Sequence, residues 1–153
     1  MRSTLVTSGL AVLALALAGC GGGGSSSTAT RKSGLSRPTR VYRVQLSGAA
    51  ETPPGAPAGA GTAIIAFHGP SRVCWRFAHL RGFTHATFAH IHIGDAGHAG
   101  NIVIALSTGR RLHHHGCVSV SPAVSNAIWS SPSGYYVNIH SRQYPGGAVR
   151  AQL

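Results

Sequence analysis

The sequence predicts an all-β domain, an antiparallel β-sandwich of about seven strands with one short helix. Short runs containing aromatic or β-branched residues recur along residues 41–153, and Gly or Pro separates nearly all of them. In the first run, apolar and polar residues alternate as in a strand with one buried face. Turn-forming segments such as His68-Gly69-Pro70-Ser71 suit antiparallel connections.

The strands are predicted in chain order from these runs. The first is Val41-Tyr42-Arg43-Val44-Gln45-Leu46, and the others lie at 62–68, 72–80, 84–93, 102–106, 135–140 and 148–153. Trp75 and Phe77 share a parity, so both are expected in the core. The tract His113-His114-His115 is expected to be a solvated loop.

One helix is predicted to cross between strands. Ser121 suits the N-cap and Pro122 the first helical position. Three apolar residues then lie near a single helix face, which would pack on the core: Val124, Ile128 and Trp129.

The first forty residues predict where the chain is located. Residues 1–19 have the charged start, short apolar run and small residues of an export signal, and the run is too short to span a bilayer. Leu17-Ala18-Gly19-Cys20 resembles a bacterial lipobox, which implies a lipoprotein signal peptide and lipidation of Cys20. Residues 20–40 are rich in Gly, Ser and Thr and are expected to form a lipid-anchored flexible linker. The domain at 41–153 is therefore expected at the bacterial cell membrane or envelope, facing outside the cytoplasm.

The charged residues indicate which classes of partner to expect, and the cysteines indicate a disulfide. The chain has 13 Lys and Arg against 2 Asp and Glu, but these charges are scattered and no nucleic-acid motif is present. The expected partners are the membrane, through the lipid anchor, and an envelope polymer or protein ligand, with no nucleic acid.

With Cys20 assigned to lipidation, Cys74 and Cys117 form an even pair that predicts one disulfide. Metal ligation by the same pair is the alternative, although it lacks a CxxC motif.

Two segments carry the candidate site, Ala89-His90-Ile91-His92-Ile93-Gly94 and Tyr136-Val137-Asn138-Ile139-His140. On strands, the side chains of His90, His92, Asn138 and His140 share the face opposite the isoleucines. Two interpretations are open. The imidazoles could bind copper or zinc with an open coordination position, supported by Asn138. Alternatively, they form a structural network that hydrogen-bonds to the loop at 94–101, which is the commoner role of buried polar groups.

Four segments, at 44–54, 89–101, 136–141 and 144–153, resemble those of the chordin (CHRD) domain family. The resemblance covers essentially all of residues 41–153. It implies an immunoglobulin-like β-sandwich, found in secreted and surface proteins, and it supports the fold more than any activity. At Gly147-Ala148-Val149-Arg150-Ala151-Gln152 the chain lacks the family's acidic residue, so Glu51 is the remaining candidate partner of Arg150.

We therefore expect a lipid-anchored extracytoplasmic module of the cell envelope that binds a ligand or has a structural role. The alternative is a copper- or zinc-binding envelope domain, capable of redox chemistry, centred on the three histidines. No catalytic residues are identified, because no Ser/His/Asp triad is credible and the only acidic residues are Glu51 and Asp95.

His90 to Asp95 is similar to the copper-binding His-x-His segment of copper/zinc superoxide dismutases. Its spacing is one residue shorter, however, and a full zinc site does not match His98 and Asp95.

Overall fold

The computed structural model describes residues 39–153, which form eight β-strands, one α-helix and two short 3₁₀ turns. The strands are β1 (Thr39–Ser47), β2 (Ala60–His68), β3 (Arg72–Arg81), β4 (Ala86–Ile93), β5 (Ile102–Ser107), β6 (His115–Ser119), β7 (Tyr135–Ser141) and β8 (Val149–Gln152). Helix α1 (Pro122–Ser130) connects β6 to β7, and the 3₁₀ turns lie at Gly48–Ala50 and Pro132–Gly134.

The predicted signal peptide, the Cys20 lipidation site and nearly all of the linker lie outside the described residues. Strand β1 begins at Thr39, two residues before the predicted start of the domain. In the described part of the chain, no helix is both long and apolar enough to cross a membrane.

The eight strands form one hydrogen-bonded antiparallel sheet in the order β5-β4-β7-β8-β1-β2-β3-β6. The all-β class, the antiparallel pairing and the helix are thus confirmed. The two-sheet division of an immunoglobulin-like sandwich is not seen in the hydrogen bonding of residues 39–153. The physical reason is strand β8, which pairs with β7 along its length and with β1 at Ser47 and Arg150. It thereby joins one half of the sheet, β5-β4-β7, to the other half, β1-β2-β3-β6.

The core lies on the concave side of this sheet. Its buried residues come from both halves and from the helix, and they form one cluster that includes Phe67, Trp75, Ile91, Ile139 and Ile128. Because both halves share one core, the sheet curls around it rather than lying flat.

Helix α1 begins and packs as predicted. The Ser121 hydroxyl accepts a hydrogen bond from the backbone N–H of Val124, and Pro122 occupies the first turn. Ile128 is fully buried, and the Trp129 ring packs edge-on against Phe67 with the ring centroids 6.2 Å apart. The helix therefore covers one side of the core.

Strand β6 is the element that the sequence prediction missed. Its first residue, His115, belongs to the histidine tract expected in a loop. The strand pairs with β3, with Cys117 directly opposite Cys74, and the predicted disulfide joins these two residues. Pairing with β3, rather than any apolar pattern, makes this polar segment a strand.

Candidate metal centre

Strands β4, β7 and β8 place polar side chains opposite one another on the sheet face away from the core. The strand register forms two cross-strand rows, His90-Asn138-Arg150 and His92-Tyr136-Gln152. The intervening residues Ile91 and Ile139 are fully buried in the core. The alternation predicted from the sequence therefore places the histidines on one face.

The three predicted metal ligands converge on this face. One ring nitrogen from each of His90, His92 and His140 lies within 4.8 Å of the others, and within residues 39–153 no other group of three metal-ligating side chains is found. The Nδ1 atom of His90 and the Nε2 atom of His140 are 3.2 Å apart. Two nitrogens that bind the same tetrahedral zinc ion lie about 3.3 Å apart. His92 is buried, and the other two rings are half-buried.

Backbone carbonyls determine which nitrogens of two rings carry the proton. The Nδ1–H of His92 donates to the Gly100 carbonyl at 2.9 Å, and the Nδ1–H of His140 donates to the Pro145 carbonyl at 2.8 Å. Because a carbonyl can only accept, the Nε2 atom of each neutral ring retains its lone pair. Outer hydrogen bonds of this kind orient metal-binding histidines.

The sequence left two roles open for the histidines, metal binding and hydrogen bonding to the loop at 94–101. His92 can have both roles at once. One of its nitrogens bonds to the loop at 94–101, while its Nε2 atom is buried and has no hydrogen-bond partner. In His90, the Nδ1–H donates to the His140 Nε2 atom. The His90 Nδ1 atom becomes a metal ligand if its proton moves to Nε2.

Both half-buried histidines resist protonation. Burial, followed by the neighbouring His140 and His92, lowers the pKa of His90 from 6.5 to about 4. Burial also lowers the pKa of His140, although its hydrogen bond to Pro145 acts in the opposite direction. The two rings are consequently neutral at pH 7, which is the protonation state that binds metals.

A stack of three side chains fixes the ring plane of His92. The guanidinium carbon of Arg150 lies 3.4 Å from the centroid of the Tyr136 ring. The Tyr136 ring in turn stacks on His92, with centroids 4.8 Å apart and an angle of 6° between the planes. Sequence reasoning missed this role of Tyr136, although its parity with Asn138 and His140 already placed it on the same face.

Gly100 connects this stack to the loop. Its N–H donates to the Tyr136 hydroxyl at 3.3 Å, and its carbonyl accepts from His92. A side chain is excluded here, because a Cβ atom at Gly100 would lie 1.8 Å from the Ile93 carbonyl oxygen. The orientation of the His92 ring thus depends on the backbone at Gly100 lying close to the backbone at Ile93.

Arg150 also holds the loop at 94–101. Its side chain is 1% exposed and donates to the carbonyls of His98 at 3.0 Å and Asp95 at 2.7 Å. Glu51 attracts Arg150 electrostatically, while the hydrogen bonds of Arg150 go to the loop and to Gln152. The side chains of Asp95 and His98 do not belong to the group of metal-ligating residues that His90, His92 and His140 form. Among the described residues, the similarity to dismutases is therefore not extended to a zinc site at Asp95 and His98.

Glu51 lies buried next to Arg150. Burial raises its pKa to about 7, although Arg150, the Asn138 side chain and the Thr52 N–H all act to lower it. Asn138, predicted to support the histidines, lies directly opposite His90 in the strand register. The carboxylate packs on Gly147, where a Cβ atom would lie 2.3 Å from Oε1.

Replacing Glu51 with glutamine should change how stability depends on pH. The carboxyl group titrates at about 7 in the fold instead of 4.5, so its contribution to stability is lost as the pH rises through this range. Glutamine has no such loss, and Glu51→Gln should gain roughly 1–3 kcal/mol over the wild type between pH 4.5 and 7.5. Urea unfolding of both proteins across this range measures the difference.

The histidines act in the opposite direction in this experiment. The lowered pKa of His90 makes the fold more stable as the pH rises from about 4 to 6.5. Both proteins share this contribution, so it cancels when their free energies of unfolding are subtracted. A difference that does not change with pH would contradict the burial effect at Glu51.

Comparison with known proteins gives one family match. The model of the CHRD domain matches residues 42–153, a range that contains the three histidines and both cysteines of the disulfide. No curated protein and no solved structure matches the chain. The match therefore covers the whole described domain apart from the first three residues of β1.

Proposed function

The chain belongs to the CHRD domain family, and from that premise we propose that it is a binding module whose ligand is one copper or zinc ion. His90, His92 and His140 would supply the three protein ligands. The observation that carries the proposal is the buried Nε2 atom of His92, which has no partner in a group of three converging imidazoles. Most buried polar atoms have a partner in the protein, an ordered water molecule or a bound ion, and the other two imidazoles make an ion the best fit for His92 Nε2.

The chemistry of the ligand set agrees with this choice of ion. Neutral imidazoles suit zinc and copper, and three protein ligands leave a coordination position for water or another molecule. The ring orientations are set by carbonyls at Gly100 and Pro145, so less side-chain freedom is lost when an ion binds. Redox activity is expected only with copper, since zinc has no redox chemistry.

Metal titration of the purified protein tests the proposal. We expect the wild type to bind one equivalent of copper or zinc by calorimetry, and the variant His90→Ala/His92→Ala/His140→Ala to lose at least roughly 100-fold in affinity. The matched control is His113→Ala/His114→Ala/His115→Ala, which removes the same number of histidines and should keep the stoichiometric site. Circular dichroism and thermal melting check that each variant folds.

A structural module without a metal is the competing function. In that case His92 and its neighbours serve only to hold the loop at 94–101, and the cluster variant and the control variant should bind metal equally weakly. Equal weak binding by both variants and the wild type would therefore reject the metal function and leave the structural one.

We further propose that the module is anchored in the cell envelope by a lipid on Cys20. The support is the export-signal pattern at residues 1–19, the lipobox-like segment before Cys20 and the tether composition of residues 20–40. The Cys74–Cys117 disulfide is compatible with an exported protein. An envelope polymer or another protein could then reach the domain as a further partner.

The Cys20→Ser variant tests the anchor. Two or more acyl chains hold a protein stably on a membrane, and each buried methylene contributes about 0.8 kcal/mol. We expect the wild type in the membrane fraction and the variant in the soluble fraction after cell lysis. Membrane association that is unchanged in the variant would refute lipidation at this cysteine.

A further inference from the structure

We propose that a cleft at the start of β4 binds a small phosphate monoester through Arg110 and Arg142, with the apolar part of the ligand on Phe88. The cleft has a volume of about 310 Å³ and is lined by Thr87, Phe88, Arg110 and Arg142. This volume is at the lower end of the range for small-molecule sites. The proposal does not depend on metal binding by the histidines.

The fold brings the two arginines to the same place from distant parts of the chain. Arg110 lies in the β5–β6 loop, and Arg142 directly follows β7. The first loop is held by a hydrogen bond from the Leu112 N–H to the Ala86 carbonyl at 3.0 Å, and Arg142 by its own N–H to the His85 carbonyl at 3.2 Å. Two successive carbonyls at the start of β4 therefore position both arginine-bearing segments.

Charge balance favours an anionic ligand. No carboxylate lines the cleft. Of the two acidic residues of the chain, Glu51 is buried against Gly147, and Asp95 lies in the loop at 94–101. An anion bound in the cleft is attracted by both guanidinium groups.

A phosphate monoester suits these two groups better than a carboxylate. It carries a charge of roughly −1.5 to −2 at pH 7, which matches two guanidinium groups, and its oxygens fit the planar fork of arginine N–H donors. A carboxylate neutralises one guanidinium only. Thr87 adds a hydroxyl group to the lining.

Phe88 indicates that the ligand also has an apolar part. Its side chain is 41% exposed, and its ring stacks on His90 with centroids 6.1 Å apart and an angle of 13°. An exposed aromatic ring in a small cleft gains free energy when a ligand covers it. We therefore expect an aryl or alkyl phosphate rather than inorganic phosphate.

Calorimetric titration of the purified protein with phenyl phosphate tests the site. We expect the affinity to fall at least ten-fold in Arg110→Gln/Arg142→Gln. The control Arg43→Gln/Arg76→Gln removes the same charge from exposed positions on β1 and β3 and should bind like the wild type. Phe88→Ala should weaken phenyl phosphate binding and leave the weaker binding of inorganic phosphate unchanged.

Two outcomes would overturn the proposal. An equal loss of affinity in both arginine variants would show that phenyl phosphate responds only to the overall positive charge. Binding of benzoate as tight as that of phenyl phosphate would show that the cleft does not select a phosphate group. Either result leaves the metal titration of the histidine variants unaffected, since that experiment contains no phosphate.

Discussion

The variant Arg150→Met is expected to unfold with a free energy about 3–5 kcal/mol lower than that of the wild type. Methionine keeps most of the side-chain volume but cannot donate hydrogen bonds. The carbonyls of Asp95 and His98 then lose their charged donor, and Tyr136 loses the guanidinium stacked on its ring. Hydrogen bonds to a charged group contribute about 1.5–3 kcal/mol each.

Glu51 limits this cost near neutral pH. Arg150 acts to lower the pKa of Glu51, which is nevertheless about 7. Without Arg150 the carboxyl group takes up a proton more readily, so no uncompensated buried anion is left behind. The destabilisation should therefore be larger at pH 9, where the carboxyl group is forced to ionise, than at pH 6.

Urea unfolding measures the effect, and Arg43→Met provides the matched control. Arg43 is exposed on β1, so its replacement should change the free energy of unfolding by no more than about 0.5 kcal/mol. Hydrogen exchange at the Gly100 N–H should also become faster in Arg150→Met, because the loop at 94–101 is less restrained. A loss below about 1 kcal/mol would contradict the role of Arg150 as the main support of this loop.

Removing the disulfide is the second large effect. The variant Cys74→Ser/Cys117→Ser should lose about 4 kcal/mol, since the bond closes a loop with a sequence separation of 43 residues. This is a substantial part of the 5–15 kcal/mol by which a domain of this kind is usually stable. Strand β6 would then be held to β3 by backbone hydrogen bonds alone.

Reduction of the wild type provides the control for the serine variant. Dithiothreitol should lower the unfolding midpoint of the wild type to that of the variant and should leave the variant unchanged. A variant as stable as the oxidised wild type would contradict the loop-closure argument, because it would show that the disulfide restricts the unfolded chain very little.

Most of the secondary structure could be predicted from local patterns. The seven predicted strands correspond to observed strands whose ends differ by no more than two residues, as in β3 at Arg72–Arg81. The helix was predictable from Ser121 and Pro122, because capping is a local interaction. Strand β6 (His115–Ser119) was missed, since its five residues are too few and too polar to form a clear apolar alternation, and they pair with the edge that β3 offers.

The candidate site shows the same division. The sequence by itself determined that His90, His92 and His140 share one face and that Cys74 and Cys117 are an even pair, because strand alternation and residue identity are local properties. Only the tertiary structure decided that β8 joins the strands into one sheet, that Gly100 and Pro145 orient two of the rings, and that Arg110 and Arg142 line the same cleft. These features arise from contacts between residues far apart in the chain, which no local pattern encodes.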